Sequence, residues 1–218
     1  MFFWKILLMR MTKRRLKYFL ENSFECEEII ERGSYQMLCE VHKSDEEIKI
    51  AKATGEDVAT IMDIMNTALS LVPDKSWYCT DGEDFMRRHI EEKGFTLKAV
   101  VDNEIAGFLT VRFPGNDSDN LGDYIKLSKE EKQYVAHMES AAVLPSYRGM
   151  GIQKKLMAQG EEFVRKTEYK YLMGTAHPEN VFSVNNFLKS GYEIVAEDEK
   201  YGGYPRYVFF KRCEANSS

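Results

Sequence analysis

A proline stands between an apolar run and a pair of glycines in "YVAHMESAAVLPSYRGMGIQKKLM", residues 134–157. The run before it reads as a central strand, and Pro145 holds the preceding residue in extended geometry, so the strand must stop there. Ile152, Leu156, Phe163 and Val164 then recur at helical spacing. The chain has to turn sharply from strand into helix, with Gly149 and Gly151 at the entrance. Glycine costs stability inside regular structure. Two readings fit: a plain tight turn, or an anion cradle built from helix-entrance N–H groups that have no internal acceptor. The Walker pattern GxxxxGK[ST] is absent, and GxGxxG fails because Lys154 fills the third glycine position.

The remaining elements follow from pattern and punctuation. A compact domain begins near Glu47. "EIKIAKA" alternates as a strand, and Thr54 with Asp57 three residues on reads as a helix start. Val58, Ile61, Met62, Met65 and Leu69 keep helical spacing up to Pro73, and a second helix runs from about Asp81 to Gly94. "FTLKAVVDNEIAGFLTVRF" is a hairpin turning at Asp102-Asn103. After a polar insertion, Pro114–Gln133, come the strand and helix already described. "YLMGTA" is another strand, and "ENVFSVNNFLKSG" a helix with Val181, Val184, Phe187 and Leu188 inward and Gly191 beyond its end. Two strands joined at Gly202-Gly203 close the chain. This order, β-α-α-β-β-β-α-β-α-β-β, is not the alternation of a doubly wound sheet.

Composition narrows the function. The 218 residues carry 44% apolar and 30% charged side chains and a net charge of −5, which suits a soluble domain and argues against nucleic-acid binding. Cys26, Cys39, Cys79 and Cys213 are scattered without a CxxC pair, as expected of reduced thiols in a cytoplasmic protein without a disulfide frame or zinc site. "DSDNLG" brushes against a calcium loop, but Leu121 and Ser128 stand where oxygen ligands belong; no metal is expected. Residues 1–20 carry six bases and no acid, residues 21–50 nine acids and three bases. The first segment reads as a basic amphipathic helix on its own domain or on a twin subunit, with an interfacial membrane helix as the alternative. Lys5 and Arg10 interrupt it too soon for a spanning helix. Residues 1–46 are thus an extension of the domain at 47–213.

"AAVLPSYRGMGIQKKLM" resembles the acetyl-CoA-binding signature of the GCN5-related N-acetyltransferase (GNAT) family, where a strand ending V-x-P leads into R-G-x-G-[IL]-x-x-x-L. "PENVFSVNNFLKSGY" is similar to that family's second landmark, N-x-x-[AS]-x-x-[FN]-[YF]-x-K-x-G-[FY]. With the element order, the resemblance spans about three quarters of the chain, from Glu47 to Arg212. It implies an α+β fold: a mixed, mostly antiparallel sheet with splayed middle strands, flanked by helices. It implies acetyl-CoA as co-substrate, its pantetheine arm pairing along Ala141, Ala142 and Val143. Its pyrophosphate would lie on Arg148 and the amides of Gly149, Met150, Gly151, Ile152 and Gln153. Asn180 matches the family's asparagine and also suits a helix cap.

For proton transfer, His137 and Glu139 share a strand face by period two. They match in spacing the two histidines that relay protons in the family's serotonin acetyltransferases, and many members use a Glu in this strand. Glu139 is the first choice for base and His137 the second. The plainer readings are a Glu139 ion pair with a base such as Arg206 and a satisfied core histidine. Two departures stand out: Phe187 replaces the tyrosine that often protonates the leaving thiolate, and Ser146 replaces a basic residue of some relatives. Ser183, Tyr192 and Tyr204 are other hydroxyls in this part of the chain. The insertion and the hairpin "YGGYPRY" should border the acceptor pocket and suit an amine, with Arg206 available to a carboxylate. The expected activity is acetyl transfer to a primary amine of a small molecule or peptide. The alternatives are a non-catalytic acyl-CoA-binding regulatory module, and an interaction protein docking through its basic N-terminal segment.

Overall fold

The computed structural model describes residues 7–9, 26–31, 34–39 and 47–213, and the chain divides into two compact units, Met1–Glu46 and Glu47–Ser218. In the first, β1 (Leu7–Met9), β2 (Cys26–Glu31) and β3 (Ser34–Cys39) form an antiparallel sheet in the order β1-β3-β2. This corrects the helix expected over residues 1–20 at Leu7–Met9, which pairs with Met37–Cys39. Helical preference is a weak prior that strand pairing overrides. The rest of that expected helix, and the stretch 40–46, lie outside the described residues. The register sets Cys26 opposite Cys39, a juxtaposition that their spacing in the sequence does not reveal.

The second unit runs β4 (Lys49–Lys52), α1 (Val58–Leu71), α2 (Glu83–Glu91), β5 (Gly94–Val101), β6 (Glu104–Arg112), β7 (Val135–Val143), α3 (Ile152–Arg165), β8 (Tyr171–Ala176), α4 (Val181–Lys189), β9 (Glu193–Lys200) and β10 (Tyr204–Arg212). That is the expected element order. The seven strands stand as β4-β5-β6-β7-β8-β10-β9, antiparallel except for β7 and β8. Local chemistry explains the joints. Thr54 N–H donates to Asp57 Oδ2 at 2.8 Å to open the first helical segment. Asp102 and Asn103 take φ of 48° and 66°, the left-handed pair that a two-residue hairpin turn requires.

Helices α1 and α2 cover one sheet face through Val58, Ile61, Met65 and Met86; α3 and α4 cover the other through Ile152, Leu156, Val164 and Phe187. The expected inward set on α4 is only half right. Phe187 is buried and Val184 partly so, whereas Val181 and Leu188 are 58% and 44% exposed. The helix leans on the sheet chiefly through the Phe187 ring, stacked 4.5 Å from Phe209, and apolar spacing buries a residue only where a neighbour covers it. Among the described residues no helix is long and apolar enough to cross a membrane.

The feature that shapes the site is a failure of pairing. β7 and β8 are in register only from Val135–His137 to Tyr171–Met173, although both continue, and beyond that point the middle of the sheet opens. Phe187 wedges there against Gly174, where an added Cβ would lie 2.6 Å from the ring tip and 3.2 Å from Met138 O. Gly174→Ala is therefore expected to destabilise the fold by about 1–3 kcal/mol and to lower the thermal midpoint by several degrees; an unchanged melt would contradict this packing.

Candidate active site

A bulge in β7 builds the chemical centre. Thr110 pairs with Ser140 and Val111 with Met138, so Glu139 has no cross-strand partner and the strand kinks where it sits. Bulges re-aim side chains in this way. His137 lies opposite Arg112 of β6, and the three side chains meet. Leu121 N–H donates to His137 Nε2 at 3.1 Å, so the ring proton is on Nδ1, which faces Glu139 Oε2 at 3.3 Å. Arg112 Nη1 stands 3.7 Å from the same oxygen. Glu139 Oε1 accepts no protein donor among the described residues. Burial opposes ionisation of Glu139, but the His137 bond and the Arg112 charge outweigh it, holding its pKa below the ordinary carboxylate range. Glu139 thus pairs with Arg112, and not with Arg206 as one sequence reading allowed.

The insertion is tied to this centre. Arg112 grips Asp119 with both terminal nitrogens at 2.7 Å and Asp117 at 2.8 Å. Buried Asn120 braces the segment, bonding Gly115 O, Lys132 O and Gly122 N–H. Leu121 packs on Val135, Tyr171, Met173 and Val208. His137 and Arg112 each hold the insertion on one side and Glu139 on the other.

Beyond the bulge, Ala141, Ala142 and Val143 pair with Leu109, Phe108 and Gly107 along one edge only; the edge toward β8 is open. Ala142 rests on the α1 core, while Ala141 and Val143 rest on the α3 core. After the turn at Pro145–Tyr147, Gly149 and Gly151 take φ of 86° and 74°, and a Cβ on either would meet nothing within 4 Å. Backbone conformation, with open space in front, is what calls for glycine here. The first bond of α3 runs from Lys155 N–H to Gly151 O, which leaves the amides of the entrance, including Met150, Ile152 and Gln153, without a helical acceptor. Arg148 is exposed beside them, without an ion pair among the described residues. Asn180 caps α4, its Oδ1 taking Ser183 N–H at 3.2 Å. Because β7 and β8 run parallel, both helix entrances lie at the same end of the gap, and the donor set suits an extended ligand with a diphosphate.

The family model described as the acetyltransferase (GNAT) family matches residues 58–192. The chain belongs to the GNAT family. It is accordingly an acyl-CoA-dependent N-acetyltransferase. It is 25% identical over 155 residues, covering 69% of this chain and 81% of the relative, to an S-alkylcysteine N-acetyltransferase of Bacillus subtilis. In fold it is similar to yncA of Salmonella typhimurium, solved with its cofactor acetyl-CoA (TM-score 0.58, 17% identity, 79% and 97% of the two chains). It is likewise similar to the ribosomal-protein-S18-alanine N-acetyltransferase of Escherichia coli (TM-score 0.59, 12% identity, 77% and 95%).

In this GNAT chain a cavity of about 240 Å³ opens beside Glu139, lined also by Arg112, Asp119, His137, Thr175 and Tyr201. The insertion and the last hairpin both border it. Phe187 brings no hydroxyl. Tyr192 is buried beside it, where burial and then the Glu161 charge push its phenol up. Tyr204 is exposed at the start of β10. The pocket hydroxyls are Tyr201 and Thr175, 3.2 Å apart; sequence reasoning named neither, though Tyr201 sits in the quoted hairpin. It also missed Asp81, just before α2. Tyr78 OH and Ser140 Oγ lie 3.2 Å apart and fix this loop on the bulge. Burial, and then the Glu139 charge, raise Asp81 to about 7 against the pull of Arg112 and Ser140.

Folded Asp81 keeps a proton that the unfolded chain has released above 3.8, so stability falls as pH rises toward about 7 and the loss is complete above it. Asp81→Asn removes the penalty. Its thermal midpoint should gain on the wild type more at pH 8 than at pH 5; a constant difference would contradict the raised pKa.

Proposed function

We propose that this GNAT enzyme moves the acetyl group of acetyl-CoA to a primary amine of a small molecule or peptide. The observation that carries the reading is Glu139, ionised and bulged out at the rim of the opened sheet, with the glycine-headed α3 at the end of the same gap. The pantetheine arm pairs with the open edge of Ala141–Val143. The pyrophosphate takes the amides from Gly149 to Gln153, with Arg148 adding charge, and Asn180 bonds the arm while capping α4. When bound, acetyl-CoA supplies an activated thioester. The curated relative, named for an S-alkylcysteine, supports the small-molecule half of the reading. We place the enzyme in the cytoplasm, where cysteines scattered in the sequence without a CxxC pair would stay reduced.

Glu139 is a weak base toward a free ammonium of pKa ~10.4. It works by binding the acceptor nitrogen through Oε1 and holding it at the carbonyl, where oriented pairs reach effective molarities on the order of 10⁵ M or more. The bound ammonium first releases one proton to water, so that the neutral amine attacks. Once the C–N bond forms, the nitrogen on the tetrahedral carbon is far more acidic, and Glu139 takes its second proton directly or through water. The C–S bond then breaks with its electron pair on sulfur. A thiol of pKa ~8.5 leaves without a dedicated acid, so Phe187 is compatible with turnover. His137 is a positioning residue: both ring nitrogens are engaged, and it fixes which oxygen of Glu139 faces the acceptor.

Thiol release and calorimetry test these roles. Glu139→Gln should lower kcat on the order of 10²-fold or more while CoA affinity stays; equal activity removes Glu139 from the base role. Gly151→Glu, verified as folded by circular dichroism, should lose CoA binding; retained affinity refutes the pyrophosphate placement. His137→Asn keeps a donor beside Glu139 without a titrating ring, and its kcat should stay within about tenfold, or ~1.4 kcal/mol. His137→Leu should fall much further. Equal losses in the two variants would make His137 a proton carrier. Binding of CoA without turnover across a broad amine panel would favour a regulatory module.

A further inference from the structure

Arg206 of β10 is 3% exposed, yet among the described residues no carboxylate lies within ion-pair distance of it. Its guanidinium has only neutral partners. Nη1–H donates to Pro205 O at 2.9 Å, and Nη2 to Ser76 O at 2.6 Å and Cys79 Sγ at 3.3 Å. The Tyr201 ring lies 5.2 Å from its Cζ. Other sheltered cations in this domain do have anions: Arg112 has Asp117 and Asp119, Lys98 has Asp57, and Lys211 has Glu161. A buried cation without a counter-ion is costly and is retained where an anion comes to it.

Its position says which anion. Val208 of β10 packs on the face that holds Leu121 and Val135, so Arg206, two residues away, shares that face with His137 and Glu139. Tyr201 lines the cavity, and its hydroxyl is within electrostatic reach of both Glu139 and Arg206. The pocket therefore runs from a carboxylate on β7 past the paired hydroxyls of Thr175 and Tyr201, and the Tyr201 ring in its wall lies against the Arg206 guanidinium, which has no counter-ion among the described residues.

We infer that the acceptor is an aminocarboxylate, of which a free amino acid is the simplest, its ammonium held by Glu139 and its carboxylate by Arg206. This rests on the acetyl-transfer reading above and narrows it. The ammonium loses one proton to water, the neutral nitrogen forms the bond to the acetyl carbon and gives its second proton to Glu139, CoA departs as thiolate, and the acceptor's own carboxylate is neither consumed nor altered. A free amine without the carboxylate leaves Arg206 buried and unanswered, so discrimination comes from a group remote from the reacting atoms.

The test compares each standard L-amino acid with its carboxamide by thiol release from acetyl-CoA. For the best acceptors kcat/KM should favour the acid by roughly 30-fold or more, the range for a desolvated charge pair left incomplete. Arg206→Met, which keeps the apolar stem, should bring the ratio near one, mainly through KM. The wild-type ratio stands as a test by itself if that variant does not fold. Equal turnover of acids and carboxamides overturns the aminocarboxylate assignment and leaves acetyl transfer standing, as does an unchanged ratio in a folded Arg206→Met. Turnover of none of these, nor of simple alkylamines, overturns the acetyl-transfer reading and this inference with it.

Discussion

Two parallel strands that start in register and then part decide most of what this molecule can do. β7 and β8 pair through His137 and Met173, and past that point β7 is bonded on one edge only. Buried backbone groups demand partners, so an edge left open inside a sheet is a standing invitation to an extended ligand. The parting is built in: Gly174 lacks the Cβ that would drive Phe187 away, and Phe187 in turn stacks on Phe209 beneath the sheet. The same divergence brings two helix entrances to one end of the gap, where the unpaired amides of α3 and the positive dipole ends of both helices lie.

Electrostatics then separates roles that look alike in the sequence. Glu139 and Asp81 are both sheltered carboxyls near the bulge, and their surroundings push them in opposite directions, Glu139 down and Asp81 up. His137 and Arg112 make the difference, because both serve the same oxygen of Glu139. Since those two residues also clasp the insertion through Leu121 and Asp117–Asp119, the aim of the carboxylate and the docking of the insertion form a single arrangement. The insertion, which the sequence places at the border of the pocket, is part of the centre itself.

The fold was legible because its joints carry strong local chemistry: Pro145 ends a strand, Asp102-Asn103 turns a hairpin, and Thr54 with Asp57 starts a helix. The open cradle was legible for the same reason, since Gly149 and Gly151 have φ values that favour glycine. What stayed hidden depends on register and on distant packing. Arg112 reaches His137 only because β6 and β7 align as they do, and Ser140 shares the face of Glu139 only because of the bulge. Arg206 was visible as a charge, but its burial without a counter-ion was not. Leu7–Met9 reads as helix by composition and is strand by pairing, and Val181 and Leu188 have buried-helix spacing without a neighbour to cover them.

Amide hydrogen exchange with and without saturating acetyl-CoA tests the centre of this account most directly. Slowed exchange at residues 141–143 together with 149–153 is expected, because the open strand edge and the helix entrance would engage one ligand at once. Unchanged exchange in both segments, with protection elsewhere or nowhere, would contradict it.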